Sequence, residues 1–195
     1  MTRHFNVDWL KGKIENFERF VGPLAGKPSL RFLEIGSFEG MTSCWLMDNI
    51  LTHPSSTLTA VDPCDYYPIP GWDHLINPGS EKIFRSNVNE FGSRVIFHKA
   101  LSADVFPFLQ MNYFDFAYVD GDHRRDSVYR DAVSVLSVLK VGGIVIFDDY
   151  TWGYKPALKD NPLSPQDGVD RFLFEHPTEV EVLAKNLQLV ARRIS

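Results

Sequence analysis

The chain has 195 residues, 44% of them apolar and 23% charged, which suits one soluble globular domain and excludes disorder as a description of the whole. A core of that size needs no disulfide or metal staple to fold. Lys and Arg total 20 against 25 Asp and Glu, a net charge of -5 that argues against a general phosphate-backbone binder. Residues 1–20 interleave Arg3, Asp8, Lys11, Lys13, Glu15, Glu18 and Arg19 with apolar positions, so no signal peptide is expected there. No apolar run reaches the length that spans a bilayer. Cys44 and Cys64 cannot by themselves build a disulfide framework or a zinc site, and read as free thiols of a reducing compartment. The expectation is a cytoplasmic protein.

In chain order, Trp9, Leu10, Ile14, Phe17, Phe20 and Val21 recur at helical spacing and predict a helix over 8–21, stopped by Gly22-Pro23, within an N-terminal cap of residues 1–28. LRFLEI over 30–35 predicts a buried strand, 41–51 a helix, and TLTAV over 57–61 a second strand. Residues 62–80 hold Pro63, Pro68, Pro70, Pro78, Gly71 and Gly79 among Tyr66, Tyr67, Trp72 and His74, the composition of a long irregular loop. A helix is predicted over 81–91, a strand over 94–98, a short helix over 103–111 and a strand over 114–119. Val128, Ala132, Val135, Leu136 and Leu139 form one stripe of a helix over 125–139, which Gly142-Gly143 ends before the buried strand IVIF at 144–147. A second irregular stretch, 150–165, carries Trp152 and Tyr154. It is followed by a helix over 168–175 and two strands, 179–184 and 187–194, turning at Lys185-Asn186.

Five alternations of strand and helix with a terminal hairpin predict an α/β domain. Its sheet would be seven-stranded, doubly wound and mostly parallel, with helices on both faces and an antiparallel C-terminal hairpin. Such sheets bind ligands outside the carboxyl ends of their strands, at the switch point. The polar residues fall there. The first strand leads into Glu34-Ile35-Gly36-Ser37-Phe38-Glu39-Gly40, a G-x-x-x-G turn distinct from the G-x-G-x-x-G of dinucleotide enzymes. Glu34, at the end of a buried strand, needs a donor partner. Asp62 ends the second strand, where an acid commonly binds ribose hydroxyls. Ser102 after the third strand either caps the next helix or contacts a base. The fourth and fifth strands end in Asp120-Gly121-Asp122-His123 and Asp148-Asp149-Tyr150. Carboxylates so gathered raise one another's pKa, and a hard divalent cation such as Mg²⁺ would neutralise them. His123 alone reads equally as a surface residue opening the following helix or as a base.

FLEIGSFEG at 32–40, Val61-Asp62, VDGDH at 119–123 and GGIVIFDDY at 142–150 together resemble the class I S-adenosylmethionine-dependent methyltransferases. The subgroup they resemble is the small bacterial metal-dependent O-methyltransferases of the macrolide and aminocoumarin sugar type, more distantly the catechol type. The resemblance covers roughly 30–194. It implies that Glu34, Gly36, Ser37 and Gly40 form the first cofactor motif, Asp62 holds ribose, Ser102 and Ala103 lie by adenine, and Asp120 borders the cofactor. It also implies a metal on Asp120, Asp148 and Asp149, with Asp122 as general base and His123 where catechol-type enzymes place a lysine. Ser37 stands where a second glycine is usual, and Asp149 where catechol-type enzymes carry Asn, which disfavours a catechol substrate. The implied reaction is Mg²⁺-assisted O-methylation of a small hydroxylated acceptor, a sugar or a phenol, with no nucleic-acid or membrane partner and a homodimer left open. Loops 62–80 and 150–165 would form the substrate lid. The alternatives are a metal-independent methyltransferase on another small acceptor, or a cofactor-binding module without turnover.

Overall fold

The computed structural model describes residues 2–64, 79–152 and 163–195. Its seven strands are β1 (Arg31–Ile35), β2 (Thr57–Val61), β3 (Val95–His98), β4 (Phe114–Val119), β5 (Leu139–Phe147), β6 (Val180–Lys185) and β7 (Leu189–Arg193). They form one sheet in the order β3-β2-β1-β4-β5-β7-β6. β1 to β5 pair in parallel, and β7 runs antiparallel to both β5 and β6, closing the sheet with the expected hairpin. Around it lie α1 (Ile14–Asn16, continued as a π-helical turn Phe17–Val21), α2 (Met41–Asn49), α3 (Ser80–Val88), α4 (Ser102–Val105), α5 (Arg125–Val138) and α6 (Pro165–Glu175). No helix among the described residues is long and apolar enough to cross a membrane.

Apolar strands buried on both faces need cover on both faces, and the core is split accordingly. Leu33, Ala117, Val119, Val145 and Phe147 pack against α5 and α6 on one side. Phe32, Phe116, Tyr118 and Ile146 pack against α1 and α2 on the other. Phe17 anchors α1 there. Its ring is fully buried and lies 5.1 Å from that of Tyr118 and 5.4 Å from that of Trp45. Burying a phenyl ring contributes roughly 2–3 kcal/mol, and here it also fixes where the chain just before α1 can lie.

Several element boundaries differ from the periodicity; the short helix expected over 103–111, for one, is α-helical only over Ser102–Val105. The first helix begins at Ile14, because Gly12 sits at φ +80° in a turn that helical geometry cannot contain. α5 stops at Val138, and Leu139 already pairs with Phe114; a bulge between Phe114 and Phe116 then takes up Gly142-Gly143 inside β5. α6 begins at Pro165, where proline at the first turn and the Ser164 hydroxyl accepting from the Asp167 N–H (3.3 Å) set its start.

The register matters most for function. Ile35 pairs with Val61 and Val119, Val61 with His98, and Val119 with Phe147. The next residues therefore stand in a row: the Gly36 N–H donates to Val61 O (2.8 Å), Asp62 to His98 O (3.1 Å), Asp120 to Ile35 O (2.8 Å) and Asp148 to Val119 O (2.9 Å). Strand order reverses between β1 and β4, so the crevice opens beside Gly36 and Asp120.

Candidate active site

A cavity of about 1700 Å³ opens at this edge. Gly36, Ser37, Asp62, Ser102, Ala103, Asp120, Asp122, His123 and Asp149 lie on its wall. Glu34, Gly40 and Asp148 do not; each acts from behind it. The expected lid aromatics Tyr66, Tyr67, Trp72, His74 and Tyr154 fall outside the described residues.

On the β1 side, Gly36 has φ +87°, and a Cβ there would lie 1.9 Å from the backbone oxygen of Asp120. Glycine is thus required for β1 and β4 to end side by side. The N–H of Phe38 donates to Asp62 Oδ2 (2.8 Å) and that of Cys64 to Asp62 Oδ1 (2.7 Å), so the carboxylate ties the two strand-end loops together. Its remaining acceptor capacity is available to a ligand. Ser37 Oγ is buried without a protein partner. Glu34 is fully buried; Oε2 accepts from the Ser43 hydroxyl at the start of α2, and Oε1 has no partner. Burial pushes its carboxyl up to about 8. Gly40 caps α2 against the Phe84 ring. The Ser102 hydroxyl does not cap α4, whose N-cap is Leu101. It donates to Asp131 Oδ1 (2.6 Å), a carboxyl that burial raises to about 6. An adenosine-bearing cofactor fits this half: the orphaned Ser37 hydroxyl, a carboxylate at the ribose position and an open wall along β1 and α4.

The β4–β5 side is charged. His123 Nε2 lies 2.9 Å from Asp149 Oδ2, and its ring meets Trp152 edge-on at 4.8 Å between centroids. With the carboxylate as acceptor, Nε2 carries the proton and Nδ1 is the basic nitrogen. Burial alone would raise the Asp149 carboxyl, but His123 and Lys13 hold it below its ordinary value. Asp149 has φ +49°, a left-handed turn that aims it into the cavity. Asp122 also lines the wall, yet it accepts from the N–H (3.0 Å) and Nε (2.6 Å) of Arg124. Against the raising effect of burial, these bonds hold its carboxyl below the ordinary range, which leaves it a weak proton acceptor.

Asp148 is wholly enclosed. Its Oδ2 accepts from Lys13 Nζ and the Tyr118 hydroxyl (2.6 Å), and its Oδ1 from Gln188 Nε2 (3.0 Å). Gln188 in turn accepts from buried Asn16 (2.8 Å). Burial, with Asp120 and Asp148 nearby, keeps Tyr118 a neutral phenol and therefore a donor. Burial and then Asp148 push the Asp120 carboxyl well above the ordinary range. Burial alone would depress the Lys13 ammonium, but Asp120, Asp148 and Asp149 outweigh it, so Lys13 stays charged.

Asp120, His123 and Asp149 offer ligand atoms all within 4.8 Å of one another, the set that could hold a metal. Lys13 Nζ stands 3.2 Å from Asp149 Oδ1 beside that set. A divalent ion about 4 Å from an ammonium is repelled by about 8 kcal/mol at an effective dielectric of about 20. Lys13 therefore competes with a divalent ion for this donor set.

Lys13, Tyr118, Gln188 and Asn16 carry no sequence signal of a site. Lys13 reads as one of several charges on a solvated helix face, and only the packing of α1 brings it to the strand ends. Glu39 was within reach of sequence reasoning, since it lies in the glycine turn. It is buried and accepts from the Asn6 N–H (2.8 Å), pinning the N-terminal segment over the crevice.

Residues 33–150 match a family described as a methyltransferase domain. The chain is 31% identical over 156 residues to an uncharacterised protein, R132, of Acanthamoeba polyphaga mimivirus; the match covers 76% of this chain and 61% of that one. Among solved structures it is similar to the O-methyltransferase from Bacillus cereus in complex with S-adenosylhomocysteine. There the TM-score is 0.68, the identity 16%, and coverage 97% of this chain and 83% of that one. It is also similar to the O-methyltransferase TomG from Streptomyces achromogenes, involved in tomaymycin synthesis and solved with S-adenosylmethionine. There the TM-score is 0.64, the identity 21%, and coverage 85% and 73%. The structural likenesses establish the fold, and the match over 33–150 makes this chain a member of the methyltransferase-domain family, on the Rossmann-like fold of class I S-adenosylmethionine-dependent O-methyltransferases.

Proposed function

We propose that this protein transfers a methyl group from S-adenosylmethionine to a hydroxyl oxygen of a small molecule. The observation that carries the reading is the His123–Asp149 pair on the cavity wall, beside Gly36 and Asp62. When bound, S-adenosylmethionine supplies an electrophilic sulfonium methyl, which passes to the acceptor oxygen as the carbon–sulfur pair returns to sulfur. The chain's own work is to hold the reactants in line and remove one proton. Gly36 and Ser37 form the turn against which the cofactor's amino-acid part would lie, and Asp62 would accept from its ribose. His123 Nδ1 takes the acceptor's proton, and Asp149 stabilises the resulting imidazolium. Trp152 holds the ring in that orientation. A sugar or phenol suits a wall with both aromatic and carboxylate groups.

A second reading keeps a divalent metal at Asp120, His123 and Asp149, where the ligand atoms converge. It requires Lys13 to withdraw. The test of the main reading is calorimetric titration of S-adenosylhomocysteine into the protein, with NAD⁺ as control and Asp62→Ala as variant. It is followed by a radiolabelled-methyl screen of hydroxylated sugars and phenols, with and without EDTA. Binding of S-adenosylhomocysteine alone, weakened at least tenfold by Asp62→Ala, is expected. No binding under any condition would overturn the cofactor assignment.

A further inference from the structure

Lys13 comes from outside the strand ends, yet it sits at their electrostatic centre. Its side chain is 11% exposed, bonds to Asp148 and lies 3.2 Å from Asp149. The position is built rather than incidental. Phe17, four residues on, is locked under the sheet against Tyr118. Asn16 is buried on Gln188, and Gln188 holds the other oxygen of Asp148. Asp148, its side chain wholly inaccessible, therefore has both oxygens on protein donors and stands off the cavity wall. Asp149 likewise has one oxygen on Lys13 and the other on His123.

We infer that the Lys13 ammonium is the resident counter-ion of this acidic cluster. It stands in for a divalent cation, so the site positions Asp149 and His123 without metal. The inference rests on the methyltransferase reading for its meaning, and its geometry is independent of that reading. Lys13 is a positioning residue in this account: it orients the Asp149 carboxylate that holds His123 in its working tautomer. A metal contributes charge and geometry at such a site. The ammonium contributes the charge, and the Asn16–Gln188 network the geometry. It follows that removing the ammonium leaves a cluster of uncompensated carboxylates, to which a hard cation is then the natural partner.

The test is titration of Mn²⁺, followed by calorimetry and by loss of the free-ion electron paramagnetic resonance signal. It is applied to the full chain after EDTA treatment and desalting, as wild type, Lys13→Met and Lys13→Arg. The expected result is no saturable Mn²⁺ binding by wild type or Lys13→Arg up to millimolar ion, and one site in Lys13→Met at least tenfold tighter. A merely structural role for Lys13 would not create a metal site. Saturable binding by the wild type below millimolar concentration, abolished by Asp149→Asn, overturns the inference. So does a Lys13→Met variant that folds by circular dichroism and still binds no ion. If Lys13→Met does not fold, the wild-type titration decides alone. Binding of S-adenosylhomocysteine, measured on the same samples, reports separately on the methyltransferase reading.

Discussion

Glu34→Gln should remove most of a pH dependence of stability that the wild type carries. The Glu34 carboxyl lies fully inside the protein and titrates at about 8, against 4.5 when unburied. Because the folded value is the higher, the native state holds a proton that the unfolded chain has released. The stability is therefore fully present below about pH 4.5 and drains as pH rises through 8. From those two values the loss is about 1 kcal/mol at pH 5, about 3 kcal/mol at pH 7 and nearly 5 kcal/mol at pH 9. That is a large share of the roughly 5–15 kcal/mol that holds a domain together. Glutamine keeps an acceptor for the Ser43 hydroxyl and buries an uncharged amide, whose unpaired N–H₂ costs about 1–3 kcal/mol at every pH. Urea unfolding of both proteins without ligand, from pH 5 to 9, checks this. With an m-value of about 2 kcal/mol/M, the wild-type midpoint should fall about 2 M further than that of Glu34→Gln. Midpoints that move in parallel would refute the picture of a buried, protonated carboxyl.

His123→Ala should lower the rate of transfer about 10²–10⁴-fold at neutral pH. S-adenosylhomocysteine affinity should stay within twofold, as read by single-turnover kinetics and calorimetry; Asp122→Asn, whose carboxylate is held by Arg124, should cost much less. Gly36→Ala should destabilise the fold by more than about 3 kcal/mol. Both a left-handed backbone and a Cβ 1.9 Å from a neighbouring carbonyl oxygen oppose it. A thermal melt unchanged within 2 °C would contradict that geometry.

Much of the site could be read from sequence because a parallel sheet imposes an order. Short apolar strands separated by helices place whatever follows each strand at one edge. Gly36, Asp62, Asp120 and the Asp148-Asp149 pair were found by that rule alone. The exposed side chain of Phe174 and the early end of α5 show its limits, since a hydrophobic stripe does not say where a helix yields to a bulged strand.

Local sequence determined the alternation, the strand ends and the turn chemistry, because these depend on neighbours within a few residues. It did not determine which of two adjacent aspartates faces the cavity. Asp148 is buried on Tyr118 and Gln188, and Asp149 is turned outward toward His123. Nor could it place Lys13, which meets Asp148 across 135 residues of chain. Those choices belong to the tertiary structure. They depend on how α1 and the terminal hairpin pack on the sheet, and a buried carboxylate accepts whichever donors that packing brings within reach.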